Sequence, residues 1–149
     1  MGFLALVRGA PAAEGVVQQV DRTQILIVDD EPAVRKALST VLSYYIPGCT
    51  PAVATNGKEG VDSFRQFRQG VILMDLQMPV MDGVSAFVEI RRLCRTEGWE
   101  MPSILFCTAY APSNQVRNLI GEDSGHGLLQ KPLSNATLVG EVKKRMAAG

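Results

Sequence analysis

Two short runs constrain this chain more than anything else in it. Ile25-Leu-Ile-Val28 and Val71-Ile-Leu-Met74 are unbroken apolar stretches, and each runs straight into carboxylates, Asp29-Asp30 in one case and Asp75 in the other. Such runs read as strands buried on both faces, as in parallel sheets covered by helices. Adjacent carboxylates repel unless a cation or a raised pKa relieves them, so Asp29 and Asp30 point to a hard divalent metal with oxygen ligands. Capping competes with that reading, because an acidic residue after a strand commonly caps the next helix. Glu31-Pro32 follows, and Pro is favoured in a first helical turn. One aspartate is therefore expected to cap, and the other needs a second explanation.

Between and after these runs, strand-like and helix-like segments alternate. Val34, Leu38, Val41 and Leu42 recur at helical spacing and should stop before Pro47-Gly48. Ala52-Val-Ala54 is a short strand, and Asn56-Gly57 is a turn or cap before a helix bearing Val61, Phe64 and Phe67. After Asp75, the loop Leu76 to Gly83 leads to a helix with Val84, Phe87, Ile90 and Leu93. Pro102 precedes a third buried strand, Ser103 to Thr108. Asn114 to Ile120 forms a short helix, Gly127-Leu-Leu-Gln130 a last strand, and Leu133 to Met146 a closing helix. Five strand–helix units in a row predict an α/β fold: a doubly wound, five-stranded parallel sheet with helices on both faces.

At 149 residues the chain suits one domain. Hydrophobic residues at 46% and charged residues at 20% describe a soluble protein with an ample core, which excludes disorder throughout. Fifteen basic and 15 acidic residues leave a net charge of +0, so neither nucleic acid nor an anionic membrane is an indicated partner, and a specific protein fits better. Cys49, Cys94 and Cys107 are odd in number and not closely paired, which argues for a reducing, cytoplasmic setting. His126, the lone histidine, has no Cys at ligand spacing and reads as a loop residue without a chemical role. Residues 1–23 differ from the rest. Gly2 to Val7 is apolar, but Arg8 and Pro11 interrupt it short of a membrane span, and a signal-type basic region is lacking. That segment reads as a flexible or weakly helical extension ahead of a domain over 24–149.

The carboxyl ends of parallel strands lie on one edge, so residues distant in sequence converge there. That edge collects Asp29, Asp30, Asp75, Thr108 and, after the last strand, Lys131. Three carboxylates, a hydroxyl and an ammonium make a phosphoryl-transfer site. Mg²⁺ would bridge a phosphoryl oxygen to one or two carboxylates, Asp75 would act as nucleophile, Lys131 would neutralise phosphoryl charge and Thr108 would hydrogen-bond one oxygen.

Val28-Asp-Asp-Glu31, Leu73-Met-Asp-Leu-Gln-Met-Pro-Val-Met-Asp-Gly83, Thr108-Ala109 and Lys131-Pro132 together resemble the receiver domain of two-component response regulators over about residues 24–146. The resemblance implies the CheY-like, flavodoxin-like strand order 2-1-3-4-5. It implies Asp75 as phosphoacceptor, with Mg²⁺ on Asp29, Asp30, Asp75 and the Gln77 carbonyl. It also implies Thr108 and Lys131 as the residues that sense the phosphoryl group, and a cis Lys131-Pro132 bond. The implied partners are a histidine kinase or histidine phosphotransfer domain and a downstream protein target, with a homodimer left open. The domain would catalyse its own phosphorylation and dephosphorylation without a separate turnover substrate, either as a single-domain regulator or as the receiver of a hybrid kinase.

The chain departs from that pattern in two places. Leu128 stands where receivers usually carry the Tyr or Phe of their switch, and Tyr110 is a candidate to replace part of it. Gly121 to Gly127 is glycine-rich and predicts a shortened fourth helix. Two other readings use the same fold: an interaction module that signals without phosphate, and an Mg²⁺-dependent phosphatase, which would need a general acid and a cap domain. Asp82-Gly83 reads as a turn and helix start, and Met74, Met78 and Met81 as packing.

Overall fold

The computed structural model describes residues 17–121 and 125–148. In chain order the elements are β1 (Asp21–Val28), α1 (Pro32–Tyr45), β2 (Ala52–Ala54), α2 (Gly57–Phe67), β3 (Gln69–Met74), α3 (Gly83–Glu97), β4 (Ser103–Thr108), α4 (Asn114–Gly121), β5 (Gly127–Gln130) and α5 (Asn135–Ala147). The strands form one parallel sheet in the order β2-β1-β3-β4-β5. This is the predicted 2-1-3-4-5 arrangement, and the direction of winding reverses between β1 and β3.

Period-two alternation splits the central strands between two cores. Leu26, Val28, Ile72, Met74, Ile104 and Phe106 pack with residues of α2, α3 and α4 on one face. Ile25, Ile27, Val71, Leu73, Leu105 and Cys107 pack with Leu42, Leu138 and Val142 of α1 and α5 on the other. All six residues of β3 and of β4 are buried, which is why these strands read as continuous apolar runs.

Local chemistry fixes the helix boundaries. Asn56 accepts from the Glu59 N–H at 2.9 Å and Asp82 from the Ser85 N–H at 2.8 Å, so both predicted starts are capped. The closing helix begins two residues later than its apolar pattern, because the Ser134 hydroxyl accepts from the Thr137 N–H at 3.1 Å. Met74 is fully buried, and Met78 and Met81 pack on the same core. The helix after β4 is short, eight residues, as the glycine-rich segment predicts, and residues 122–124 lie outside the described residues.

Two features at the amino-terminal edge of the sheet differ from expectation. β1 starts at Asp21, and Gln18 already bridges to Trp99. The Gln18 N–H donates to the Gly98 carbonyl at 3.0 Å, and its carbonyl accepts from the Glu100 N–H at 2.7 Å. Arg22 ties this edge together, donating to Glu100 at 3.0 Å, to the Ser103 hydroxyl at 3.0 Å and to the Arg145 carbonyl of α5 at 3.4 Å. The second feature is His126. It is 5% exposed, its Nδ1 accepts from the Ile104 N–H at 3.0 Å, and its ring meets the edge of Phe87 at 4.9 Å. It is a loop residue, as expected, just ahead of β5, but its ring is buried and bonded to β4.

Candidate functional site

The reversal of strand order opens a crevice beyond the carboxyl ends of β1 and β3, where ligands bind in open α/β sheets. Val28 is in register with Met74, so Asp29 and Asp75 leave neighbouring strands in one layer. The Asp75 N–H continues the ladder to the Val28 carbonyl at 3.0 Å, and the Asp29 N–H does the same to Ala54 at 3.1 Å. The strand ends themselves therefore hold the two carboxylates.

Carboxylate oxygens of Asp29, Asp30 and Asp75 lie within 4.8 Å of one another. Lys131 reaches in from the end of β5, with Nζ 2.8 Å from Asp29 Oδ2 and 3.8 Å from Asp75 Oδ2. Thr108 is buried at the end of β4. Its hydroxyl accepts from the Tyr110 N–H at 3.2 Å, and its carbonyl accepts from the Lys131 N–H at 2.7 Å. The Lys131-Pro132 peptide is cis. Five of the six side chains singled out from the sequence thus come from the ends of three adjoining strands and the turn after a fourth. Gln77, named for its backbone, is exposed in the β3–α3 loop, and its N–H helps to hold the Asp75 carboxylate.

The electrostatics follow from burial and crowding. Burial raises the pKa of Asp75 above the usual carboxylate value. Lys131 opposes that rise, Asp29 adds to it, and the N–H groups of Gln77 and Leu76 offset part of it. For Lys131, burial works against the ammonium, but the hydrogen bond and charge of Asp29, then the charge of Asp75, outweigh it and hold its pKa above the ordinary value. Asp29 is only 2% exposed. Neither aspartate caps α1 as expected: the cap residue is Glu31, without a side-chain cap bond, and Asp29 Oδ1 instead accepts from the Glu31 N–H at 2.9 Å. One aspartate therefore holds the turn and faces the cleft together.

Mg²⁺ fits this donor set. Oxygens on opposite sides of an octahedral Mg²⁺ stand about 4 Å apart, close to the spread of the three carboxylates, and all the donors are hard oxygens. An excess of buried negative charge is what a divalent ion would relieve.

The loop between Asp75 and α3 is clamped by backbone. The Gly83 N–H donates to the Leu76 carbonyl at 2.9 Å, and the Gly57 N–H of α2 donates to the Met81 carbonyl at 2.9 Å. A Cβ at Gly83 would collide with the Asp75 carbonyl oxygen, so Asp82-Gly83 does more than begin a helix: it lets the loop close against the site residue. Val80 at the loop tip has φ +70°, an unusual value for a β-branched residue, and is 77% exposed. Tyr110 is also exposed at the rim, whereas Leu128 is partly buried against the core. Sequence reading missed Arg35, which donates to the Asp29 carbonyl at 2.7 Å and steadies the turn. Its position six residues after Asp29, one turn into α1, was the available signal.

Beside the cleft, an apolar groove of about 410 Å³ lies between α1 and the start of α5, with Val34, Leu38, Val41, Pro132 and Leu133 among its walls. Lys131 lines its end nearest the carboxylates.

Comparison with known proteins agrees with this geometry. The response regulator receiver domain model matches residues 25–143. The chain is 41% identical over 88 residues to the regulatory protein AtoC of Escherichia coli, covering 59% of this chain and 18% of that protein. It is 37% identical over 83 residues to a protein-glutamate methylesterase/protein-glutamine glutaminase of Aliivibrio fischeri, covering 56% of this chain and 21% of the relative. The chain thus spans about a fifth of the length of these curated relatives. Among solved structures, the receiver domain of sensor histidine kinase PA1611 from Pseudomonas aeruginosa, with magnesium coordinated in its active site cleft, superposes with TM-score 0.69 at 29% identity over 84% of this chain and 98% of that one. A CheY-like receiver domain protein from Methanospirillum hungatei gives TM-score 0.66 at 29% identity, covering 83% and 93%.

Proposed function

The chain belongs to the response regulator receiver domain family, the phosphorylatable signalling switches of two-component systems, and from that premise we propose that Asp75 is the carboxylate that accepts the phosphoryl group. The observation that carries the proposal is the meeting of Asp29, Asp30 and Asp75 within 4.8 Å, with the Lys131 ammonium beside them. Asp29, Asp30, Asp75 and the Gln77 carbonyl would hold Mg²⁺, which when bound neutralises charge on the phosphoryl oxygens.

An Asp75 carboxylate oxygen attacks the phosphorus of a phosphohistidine. The new O–P bond forms as the P–N bond breaks, and the departing imidazole keeps the electron pair and takes a proton from solvent. Lys131 holds Asp29 in place before transfer and offers its remaining N–H bonds to the phosphoryl oxygens afterwards. The Thr108 hydroxyl accepts from the Tyr110 N–H, which leaves its own proton to donate to a phosphoryl oxygen. That movement would pull on the start of the β4–α4 loop and so carry the signal toward a partner. Tyr110 at the rim slows hydrolysis of the acyl phosphate by limiting the approach of water.

The donor is a histidine kinase or histidine phosphotransfer domain. Its phosphohistidine must come within bonding distance of Asp75, and the groove on α1 and Pro132-Leu133 adjoins the cleft, so we assign the donor's apolar face to that groove. The parent is either a single-domain regulator or a hybrid kinase that carries this receiver. No described helix is long and apolar enough to cross a membrane.

Incubation with Mg²⁺ and a small acyl phosphate, followed by intact mass, tests the assignment on wild type and Asp75→Asn. A phosphoryl adduct that the variant lacks is the expected result. No adduct on the wild type would make the chain an interaction module, and steady turnover of an added phosphoester would make it a phosphatase.

A further inference from the structure

Arg35 stands close to the start of α1, where the peptide dipoles favour acids and disfavour cations. The first turn of α1 carries no acid, so the guanidinium answers no need of the helix itself. What it meets is backbone. The half-buried side chain reaches back across the turn, and its Nη1 donates to the Asp29 carbonyl at 2.7 Å.

That carbonyl lies where the sheet runs out. The Asp29 N–H still pairs with Ala54, but β2 ends there, and the guanidinium supplies a donor where the parallel ladder stops. Every polar atom of Asp29 is thereby engaged: its N–H with Ala54, its carbonyl with Arg35, Oδ1 with the Glu31 N–H and Oδ2 with Lys131. The carbonyl bond also acts beyond Asp29. The peptide that carries this oxygen is planar and joins Asp29 to Asp30, so holding the oxygen fixes the plane from which both side chains depart. Asp30 is exposed and lies past the last ladder bond, so that plane sets where its carboxylate stands relative to Asp29 and Asp75. Arg35 is felt on its other side as well. Hydrogen bonds from Thr55 lower the pKa of Glu59 at the start of α2, and the charge of Arg35 lowers it further.

We propose that Arg35 is a positioning residue for Mg²⁺: by fixing the Asp29–Asp30 peptide, it sets the spacing of the two carboxylates that the β1–α1 turn brings to the metal. The inference rests on the reading of Asp29, Asp30 and Asp75 as the carboxylates that hold the ion. It predicts a sign opposite to that of simple charge. A guanidinium beside a dication repels it, so loss of the charge alone would tighten Mg²⁺ binding, whereas loss of the positioning bond loosens it.

Calorimetric titration with Mg²⁺ separates the two effects in the full chain. Arg35→Met keeps an unbranched stem but neither charge nor donor, and its Kd for Mg²⁺ should rise about tenfold or more, the usual cost of losing a bond that orients a metal ligand. Arg35→Lys, which can still donate to the carbonyl, should recover most of that loss. Lys36→Met removes an exposed charge from the next position of the helix and should leave the Kd unchanged. The Mg²⁺ concentration for half-maximal adduct at Asp75 should move with the Kd in each Arg35 variant, a shift that mere loss of folded protein would not produce. Binding by Arg35→Met as tight as in wild type, or tighter, would overturn the proposal. So would an equal loss in Lys36→Met, or a lysine variant no better than the methionine one. A wild-type chain that binds Mg²⁺ but forms no adduct would count against Asp75 alone, and the comparison of Kd values would still decide the role of Arg35.

Discussion

Asp75→Asn should stabilise the domain when Mg²⁺ is absent and cost it stability, relative to wild type, when Mg²⁺ is present. Lys131 at 3.8 Å attracts ionised Asp75 by about 4 kcal/mol at an effective dielectric constant of 20, while a carboxylate within 4.8 Å repels it by at least about 3.5 kcal/mol on the same scale. The attraction and the Asp29 repulsion nearly cancel, and Asp30, more exposed and better screened, adds a smaller repulsion. Burial then leaves the ionised carboxylate at a net cost, which is why its pKa is raised. A raised folded-state pKa means that stability is highest with the group protonated, below the ordinary carboxylate value, and is lost as pH rises through the folded pKa. At neutral pH the charge is therefore a burden, and asparagine, of the same shape, should add about 1 kcal/mol. Mg²⁺ reverses the order, because binding at a hundred times its Kd adds about 2.7 kcal/mol to a protein that retains the full donor set. Urea unfolding followed by Trp99 fluorescence, with Mg²⁺ or with chelator, reads both differences. The gap in chelator should also shrink as pH falls toward 4, within the carboxylate range. A variant that unfolds at lower urea than wild type in chelator would refute the reasoning, because the three carboxylates would then not be held against their own repulsion.

Three further outcomes follow from the loops around the cleft. Tyr110→Ala should shorten the lifetime of the acyl phosphate and uncouple partner binding from phosphorylation while leaving phosphate uptake intact. Phosphoprotein decay by intact mass and a binding titration check the two halves, and unchanged decay and coupling would remove Tyr110 from both roles. Gly83→Ala should cost about 2–3 kcal/mol or more in urea unfolding, since its Cβ meets the Asp75 carbonyl and not a movable side chain. Val80→Gly should raise stability by about 1 kcal/mol, because it relieves a left-handed conformation at an exposed position where little packing is lost. A neutral or destabilising result in the same assay would mean that the loop tip is not strained.

The parts of this fold that could be read from sequence are those in which one residue's chemistry decides its place. Apolar runs that end on Asp29, Asp75 and Thr108 had to be buried strands, and parallel pairing then forced their ends together. Asn56 and Asp82 marked helix starts because their side chains can take a backbone N–H. What escaped depends on contacts between distant segments. His126 sits in a glycine-rich stretch with no periodicity, so nothing local shows that its ring would be packed on Phe87 and bonded to β4. Arg22 reads as an ordinary polar residue at a strand's beginning until Glu100, Ser103 and Arg145 are seen around it. At the site, the residues were legible but their division of labour was not. Only the geometry shows Asp29 serving both the turn into α1 and the Lys131 ion pair.

The Arg22 lattice gives the molecule two unlike ends. At one, a guanidinium stitches the first strand to the fourth and to the last helix, with opposite charges matched. At the other, carboxylates are crowded together and wait for a cation to reconcile them. A chemical event at the crowded end can therefore rearrange loops and side chains while the stitched end keeps the strands in register, so the protein can change its face without loosening its frame.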